Sequence, residues 1–428
     1  MTSSGRDRLR QGALHWALCT GHWALGIEQD GSVQPAGPPL CSSAPLRSLR
    51  FAVLCTLCCL CVLSGGCVLL PTLKGPPPAL EDRPPRTPPQ WSDIRGIVHC
   101  HSSLSHDSEG KIERIAATAR DEGVGFVAMT DHFTPRSVTE GARGLRDGVL
   151  FLVGVELSRD HGSILGLGVG DASPVATPTA GAEVLDFGDT GQEAIDRIHG
   201  AGGLAFVGHA EDFNGWAARG WDGVEVHNLH ADASRQRWWT YLWAGLFTPP
   251  GCFFTRLIDD PRDVLARWDL LGKTRRVPGV GGCDCHANVS LFGPLGGTIG
   301  TYAECFRAVT THVLIRYDFS AAAVCEALRE GRCYIAFEIN GDAGGFTFEL
   351  SPGAVPMGAE VPFRAGLRLD AHAPGADRVR LVLRRDGVQE LEAAGGDLTF
   401  DVRAPGTYRV EAYLDGNPFV ISNPIYVR

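Results

Sequence analysis

Two short motifs place metal-ligating side chains one residue apart: His99-Cys100-His101 and Asp284-Cys285-His286. Residues i and i+2 of an extended strand point the same way, so each motif can grip one ion. Between them in the chain lie Ser105-His106-Asp107, Asp131-His132, Glu156 with His161 five residues on, and His209. Imidazoles mixed with carboxylates suit Zn²⁺, Mn²⁺ or Fe²⁺ rather than Ca²⁺. With two or more ions, a carboxylate such as Glu156 can bridge them. A water between such ions is acidified enough to act as hydroxide near neutral pH. One H-x-H pair occurs often by chance. Five such motifs at strand ends are different, because burying so many ionisable groups without a cation carries a heavy desolvation cost.

Other candidates stand beside this set. His227 and His230 end a further strand; His227 is a candidate to touch substrate or metal, and His230 is read as a loop residue. Asp131 is a candidate to orient a ligand or carry a proton. Arg136 and Arg143 are read as solvated surface, with anion binding as the sharper alternative. Cys100, Cys283 and Cys285 alternate with the ligands and should point into the core. His199, His312 and His372 are read as structural. Trp238, Trp239, Tyr241 and Trp243 crowd one stretch, as a core-facing helix or as the wall of an apolar substrate pocket.

The elements that would position these groups alternate. Apolar runs at 94–98, 126–129, 149–155, 164–169, 204–208, 224–227, 277–282 and 313–316 predict strands. Helices are predicted after Ser108 as N-cap, after a capping box at 190–193, and over 320–330 with Gly331 as the stop. Strands alternating with helices indicate a parallel sheet or barrel, whose strand ends share one face. After about residue 334 the pattern turns to period-two runs with turn signals at 385–387 and 414–416, which predicts a small all-β sandwich.

The 428 residues carry 39 Lys and Arg against 49 Asp and Glu, a formal charge of −10. No long basic block is present, so a sequence-independent nucleic-acid role is disfavoured. The 14 Cys show no zinc-finger spacing and are mostly read as small buried residues. Residues 51–70 hold no charge and are long enough to span a bilayer as a helix. Arg47 and Arg50 precede that run, which places the chain beyond Leu70 outside the cytoplasm. A signal peptide or lipoprotein signal is the competing reading. The resulting domain plan is a tail of unknown role at 1–50, an anchor or signal segment at 51–70, a stiff Pro-rich linker at 71–92, a catalytic barrel at 93–336 and a β-sandwich at 337–428.

His99-Cys100-His101 with Ser105-His106-Asp107, Thr130-Asp131-His132, Gly154-Val155-Glu156 and Asp284-Cys285-His286 together resemble the PHP (polymerase and histidinol phosphatase) superfamily. His161-Gly162, the run 203–209, the run 222–228 and the run 327–332 make the chain similar to its carbaryl-hydrolase-type branch (the CehA/McbA group). The likeness spans about residues 93–338. It implies a distorted (β/α)7 barrel with two or three divalent ions. By position, His99, His101, Glu156 and Asp284 would hold the first; His161 and His209 would join Glu156 on the second. His132 and His286 would hold the third, with either His106 or Asp107, since many relatives have Ser-Asp-Gly at 105–107. Ala210 stands where Pro usually follows the His.

The implied activity is metal-dependent hydrolysis of a small phosphoester, or of a carboxylic or carbamate ester, with Glu156, Asp131 and His227 among the reacting groups. The competing reading is an inactive barrel retained as scaffold, with the sandwich binding a partner at the cell surface.

Overall fold

In a computed structural model the described residues are 91–132, 135–159, 162–170, 191–235, 258, 260–287, 289–290 and 298–428. The anchor and linker segments, His161 and the aromatic stretch 238–243 lie outside them. Among the described residues no helix is long and apolar enough to cross a membrane.

The first strand, β1 (Ser92–Cys100), is the hub. Its last five residues are buried, as an apolar run ending at His99 and Cys100 demands. Helix α1 (Ile112–Asp121) follows and buries Ile115, Ala116 and Ala119. Ser108 does not cap it. Its hydroxyl instead donates to the His286 carbonyl at 3.0 Å, tying two site loops together. Next come β2 (Phe126–Met129), β3 (Val149–Leu152), β4 (Gly154–Arg159) and β5 (Gly162–Leu167). The single strand predicted over 149–155 is thus two strands broken at Val153.

Helix α2 (Gln192–Gly200) turns Ala194, Ile195 and Ile198 inward, as its spacing predicts. Strands β6 (Leu204–Gly208) and β7 (Gly223–Asn228) lead to a short helix α3 (Leu229–Arg235), then α4 (Arg262–Gly272) and β8 (Gly279–Cys285). Helix α5 (Tyr302–Ala308), β9 (Thr310–Ile315), α6 (Ala321–Glu330) and β10 (Cys333–Ala336) complete this part. Ser320 caps α6 and Gly331, at φ +67°, ends it.

Parallel pairing joins β8, β1, β2 and β3 on one side, and β6, β7 and β8 on the other. Strand β5 runs antiparallel between β4 and β6. A single parallel bridge, His132 with Glu156, links the β2 end to β4 and closes the circuit. So the closing contact is made by two of the candidate ligands.

The pleated pattern after residue 334 forms two sheets. One holds β11 (Thr347–Ser351), β12 (Arg368–His372) and an edge strand at Asp397–Asp401. The other holds β13 (Val379–Arg385), its hairpin partner Val388–Ala394, β14 (Gly406–Leu414), β15 (Asn417–Ser422) and Ile425–Val427. Both predicted turns carry left-handed pairs, Asp386-Gly387 and Asp415-Gly416, as tight hairpins require. Phe348, Leu350 and Leu369 of one sheet share a core with Leu381, Val410 and Val420 of the other. The second sheet is not detached: β15 pairs antiparallel with β10, so hydrogen bonding runs on from the first part.

Candidate metal centre

The site stands where β1, β2, β6 and β8 end, against the interior of β4 at Glu156. Extended geometry alone does not build it. His99 (φ +63°), His209 (φ +45°) and Asp284 (φ +47°) all lie in the left-handed region, which non-glycine residues rarely occupy. Strand β1 shifts register between Val98 and Cys100, so the His99 strain sits in a bulge. Strain of this kind costs on the order of 1–3 kcal/mol per residue and persists only where the surroundings enforce it.

Two interlocking groups result. His99 Nε2 lies 3.2 Å from Glu156 Oε2 and 3.3 Å from Asp284 Oδ1. His101 Nε2 lies 3.3 and 3.1 Å from the same two oxygens. These four residues are buried and offer ligand atoms within 4.8 Å of one another. The second group is His101, Asp107, His132 and His286. Its centre is Asp107 Oδ2, 3.1 Å from His132 Nε2 and 3.2 Å from His286 Nε2. Glu156 faces both groups, with Oε2 also 3.4 Å from His132 Nδ1. Its other oxygen lies 3.6 Å from His209 Nε2, which is 3.3 Å from Asp284 Oδ2.

The donor set fits divalent ions. His101 Nε2, His286 Nε2 and Asp284 Oδ1 are buried with no hydrogen-bond partner, an expense that a cation between them would remove. Burial opposes these charges; it prevails at His230, whose imidazole is pushed down, but opposite charges outweigh it at the groups that follow. Asp284, Glu225 and Glu156 hold the His99 imidazole well above its ordinary pKa. Glu156 and then Asp107 lift His132 to about 9. The imidazoles in turn keep Glu156, Asp284 and Asp107 far below the usual carboxylate range. Without metal the site's ionised acids therefore favour protons on His99, His132 and His209, and a divalent ion must displace them.

Each expected residue other than His161, which lies outside the described residues, has a definite place. Of the pair left open by the sequence, Asp107 enters the second group; His106 only packs its ring 5.1 Å from His132. The Asp131 carbonyl accepts the Glu156 N–H at 3.1 Å, but its side chain touches no ligand atom of the centre. Its carboxylate accepts from the Ser102 N–H at 2.5 Å and from the hydroxyls of Ser102 and Ser105 at 2.9 and 3.1 Å. Ser105 Oγ then meets His101 Nδ1 at 3.0 Å and accepts the His132 N–H at 2.8 Å. The Asp131 carboxylate thus makes its hydrogen bonds to these two serines rather than to the ring nitrogens of the centre.

His227 stands apart from the ligand groups. It belongs to neither group: Nε2 lies 2.8 Å from Asp232, and its ring stacks edge-on against Phe337. The register of β7 shifts between Glu225 and His227, and it is Glu225 that reaches the centre. His230, read as a loop residue, opens α3 and lies 3.9 Å from Asp284 Oδ2, grouped with Asp284 and His286. Cys100, Cys283 and Cys285 are buried in the apolar core, as their alternation predicts. Arg136 pairs with Glu140, and Arg143 donates to the carbonyls of Val138 and Gly170, so neither faces the centre.

Glu225 and His230 escape strand parity. The one signal for Glu225 was an acid inside an otherwise apolar, buried strand, which needs a partner. Helix α5 braces the site from below. Its Thr301–Glu304 capping box fixes its first turn, and Tyr302 donates its hydroxyl to the His101 carbonyl at 2.7 Å.

No family model matches this chain, and no curated protein matches it. Among solved structures, the chain is similar to a two-domain protein from Bacteroides vulgatus ATCC 8482 that contains a predicted PHP-like metal-dependent phosphoesterase. The identity is 13% and the TM-score 0.37, over 81% of this chain and 97% of that one. At those values the likeness assigns neither an activity nor a ligand to this chain.

Proposed function

We propose that this chain is a metal-dependent hydrolase of the PHP type. The observation that carries the reading is the convergence on one another of buried ligand atoms that make no hydrogen bond, His101 Nε2, His286 Nε2 and Asp284 Oδ1, with Glu156 between the groups. His99, His101, Glu156 and Asp284 would hold one divalent ion, and His101, Asp107, His132 and His286 another; His209 with Glu156 and Asp284 would complete a third position. Zn, Mn or Fe fits this mix of nitrogen and oxygen donors. Such ions, when bound, supply Lewis acidity to a substrate oxygen and acidify water.

The chain's own residues do the rest. Glu156 ties the positions together through both of its oxygens. Asp131, through Ser102 and Ser105, fixes the loop that carries His101 and aligns His132. His230, with about a third of its side chain exposed, stands at the rim beside Asp284, where a proton can be taken from or given to a reacting group. The substrate we infer is a small phosphoester, or a carboxylic or carbamate ester as in the carbaryl-hydrolase-type branch. We place the catalytic part on the extracytoplasmic side of a membrane, tethered through residues 51–70.

The test is metal content by elemental analysis of the full chain, purified without chelators, followed by turnover of phosphodiesters against aryl esters and carbamates. Two or three equivalents of Zn, Mn or Fe, with metal and turnover both lost in Glu156→Ala, supports the reading. A chain that takes up no metal on reconstitution sinks it.

A further inference from the structure

Glu225 is fully buried on β7, and both of its carboxylate oxygens are engaged. Oε1 lies 2.7 Å from His99 Nδ1. Oε2 accepts the His209 backbone N–H at 2.8 Å and the Asn228 side-chain N–H at 3.1 Å. The two partners that matter, His99 and His209, come from different strands, and both are held at positive φ. The space for this carboxylate is kept by Gly282 on β8: a Cβ there would stand 1.8 Å from Glu225 Oε1 and 2.8 Å from its Cδ, with His99 Cβ the next neighbour at 3.0 Å.

We propose that Glu225 is the positioning residue of the metal centre, a single buried carboxylate that fixes the tautomer of His99 and the strained backbone of His209 at once. The inference rests on the hydrolase reading above. An Nδ1–H given to Glu225 leaves the Nε2 lone pair of His99 facing Glu156 and Asp284. The N–H given by His209 pins the turn that aims its ring at the same two acids. Glu225 lies close enough to His99 and His209 to be counted as a ligand itself. Its oxygens, however, are already taken by three hydrogen bonds, which argues for orientation rather than coordination. Carboxylates that hold a ligating imidazole in this way typically matter by 10–100-fold in metal affinity.

Three variants of the full chain test this: Glu225→Gln, Gly282→Ala, and Gly282→Ala in a Glu225→Ala background. Zn²⁺ and Mn²⁺ binding to the metal-free proteins is read by titration calorimetry, and the His99 Nδ1 proton by ¹⁵N-histidine NMR of the zinc form. A glutamine amide can accept from His99 or face His209, but cannot accept from both. Glu225→Gln should therefore weaken binding about 10–100-fold, shift the Nδ1–H resonance, and keep the number of ions bound. Gly282→Ala, which alters no ligand, should weaken binding in the same sense, and much less so once Glu225 is already alanine. Unchanged affinity in Glu225→Gln overturns the proposal. So does loss of one whole equivalent with the Nδ1–H resonance intact, which would make Glu225 a ligand, or an equal cost of Gly282→Ala in both backgrounds together with an unshifted Nδ1–H resonance in Glu225→Gln, which would trace that cost to the 3.0 Å approach to His99 Cβ. A wild-type chain that binds no metal defeats the hydrolase reading and this inference with it, whereas normal wild-type binding with indifferent variants defeats this inference alone.

Discussion

Asp107 offers the sharpest division of the centre into parts. Its Oδ2 stands between His132 and His286, at 3.1 and 3.2 Å, and it does not belong to the group of His99, His101, Glu156 and Asp284. Asp107→Asn keeps an oxygen donor and removes one charge. The size of the effect follows from His132, whose pKa rises to about 9 against an ordinary 6.5. After the opposing cost of burial, that rise corresponds to roughly 3 kcal/mol of net attraction for one positive charge. Glu156 supplies the largest part, then Asp107 through both a hydrogen bond and its charge, then Asp284; a part on the order of 1 kcal/mol for Asp107 would double to about 2 kcal/mol toward a dication. The expected loss is about 30-fold in affinity for one ion. Calorimetry of the metal-free Asp107→Asn chain should show one weakened equivalent and the other sites unchanged. His106→Ala should leave all sites as they were. If instead His106→Ala loses the equivalent while Asp107→Asn binds like wild type, the assignment of Asp107 is wrong. If Asp107→Asn weakens every equivalent alike, so is the division into separate groups.

Three further outcomes concern the scaffold. Arg409 is buried, donates two bonds to Asp269 of α4 at 2.6 and 2.7 Å, and a third to Glu411 at 2.7 Å. Arg409→Met strands Asp269 and should cost about 3–5 kcal/mol in denaturant unfolding; Arg409→Met with Asp269→Leu should recover most of it, and a single variant losing under about 1 kcal/mol would show the pair to be slack. His312, between Asp93 and Glu338 at 2.8 Å each, is raised to about 9 despite its burial. A raised imidazole pKa stabilises the fold fully below 6.5, and that contribution, of order 3 kcal/mol, fades as the pH climbs through about 9; in His312→Gln this alkaline decline in melting temperature should vanish, and its persistence would put the titration elsewhere. Gly154→Ala would set a Cβ 2.2 Å from the Met129 carbonyl oxygen and 2.3 Å from that of Gly166. Because both are backbone atoms, the expected cost is about 3 kcal/mol or more, and a variant as stable as wild type would mean that β4 can move away from its neighbours.

Much of the element order was legible because the signals were local. Phe126–Met129 and Leu204–Gly208 form strands over the residues their apolar runs delimit, and the α6 caps, Ser320 and Gly331, stand where the sequence marks them. The hairpins at Asp386-Gly387 and Asp415-Gly416 were equally plain, since those residue pairs tolerate the backbone that tight turns need. Ser108 misled because a serine ahead of a helix has two ways to use its hydroxyl. Here the carbonyl of His286, 178 residues on, takes it. The continuity of β10 with β15 was hidden for the same reason: it depends on pairing between distant segments, which no local pattern encodes.

The site shows where strand parity stops being a guide. Alternation predicted that His99 and His101 face one way, and they do share a group, but only with His99 turned into a left-handed bulge. On β7 the candidate was His227, named because it ends the apolar run. A register shift one residue earlier exchanges the roles, so His227 packs on Phe337 while Glu225 reaches His99. A one-residue slip reverses the facing of every side chain beyond it. Sequence can therefore nominate the residue types of such a centre and the strand ends that carry them. Which member of each strand faces inward is decided by bulges, and the bulges are held by contacts such as Glu225 to the His209 N–H, which exist only once the strands have met. On that logic the strain at His99, His209 and Asp284 is part of how three strand ends that diverge in a twisted sheet come to aim at one point.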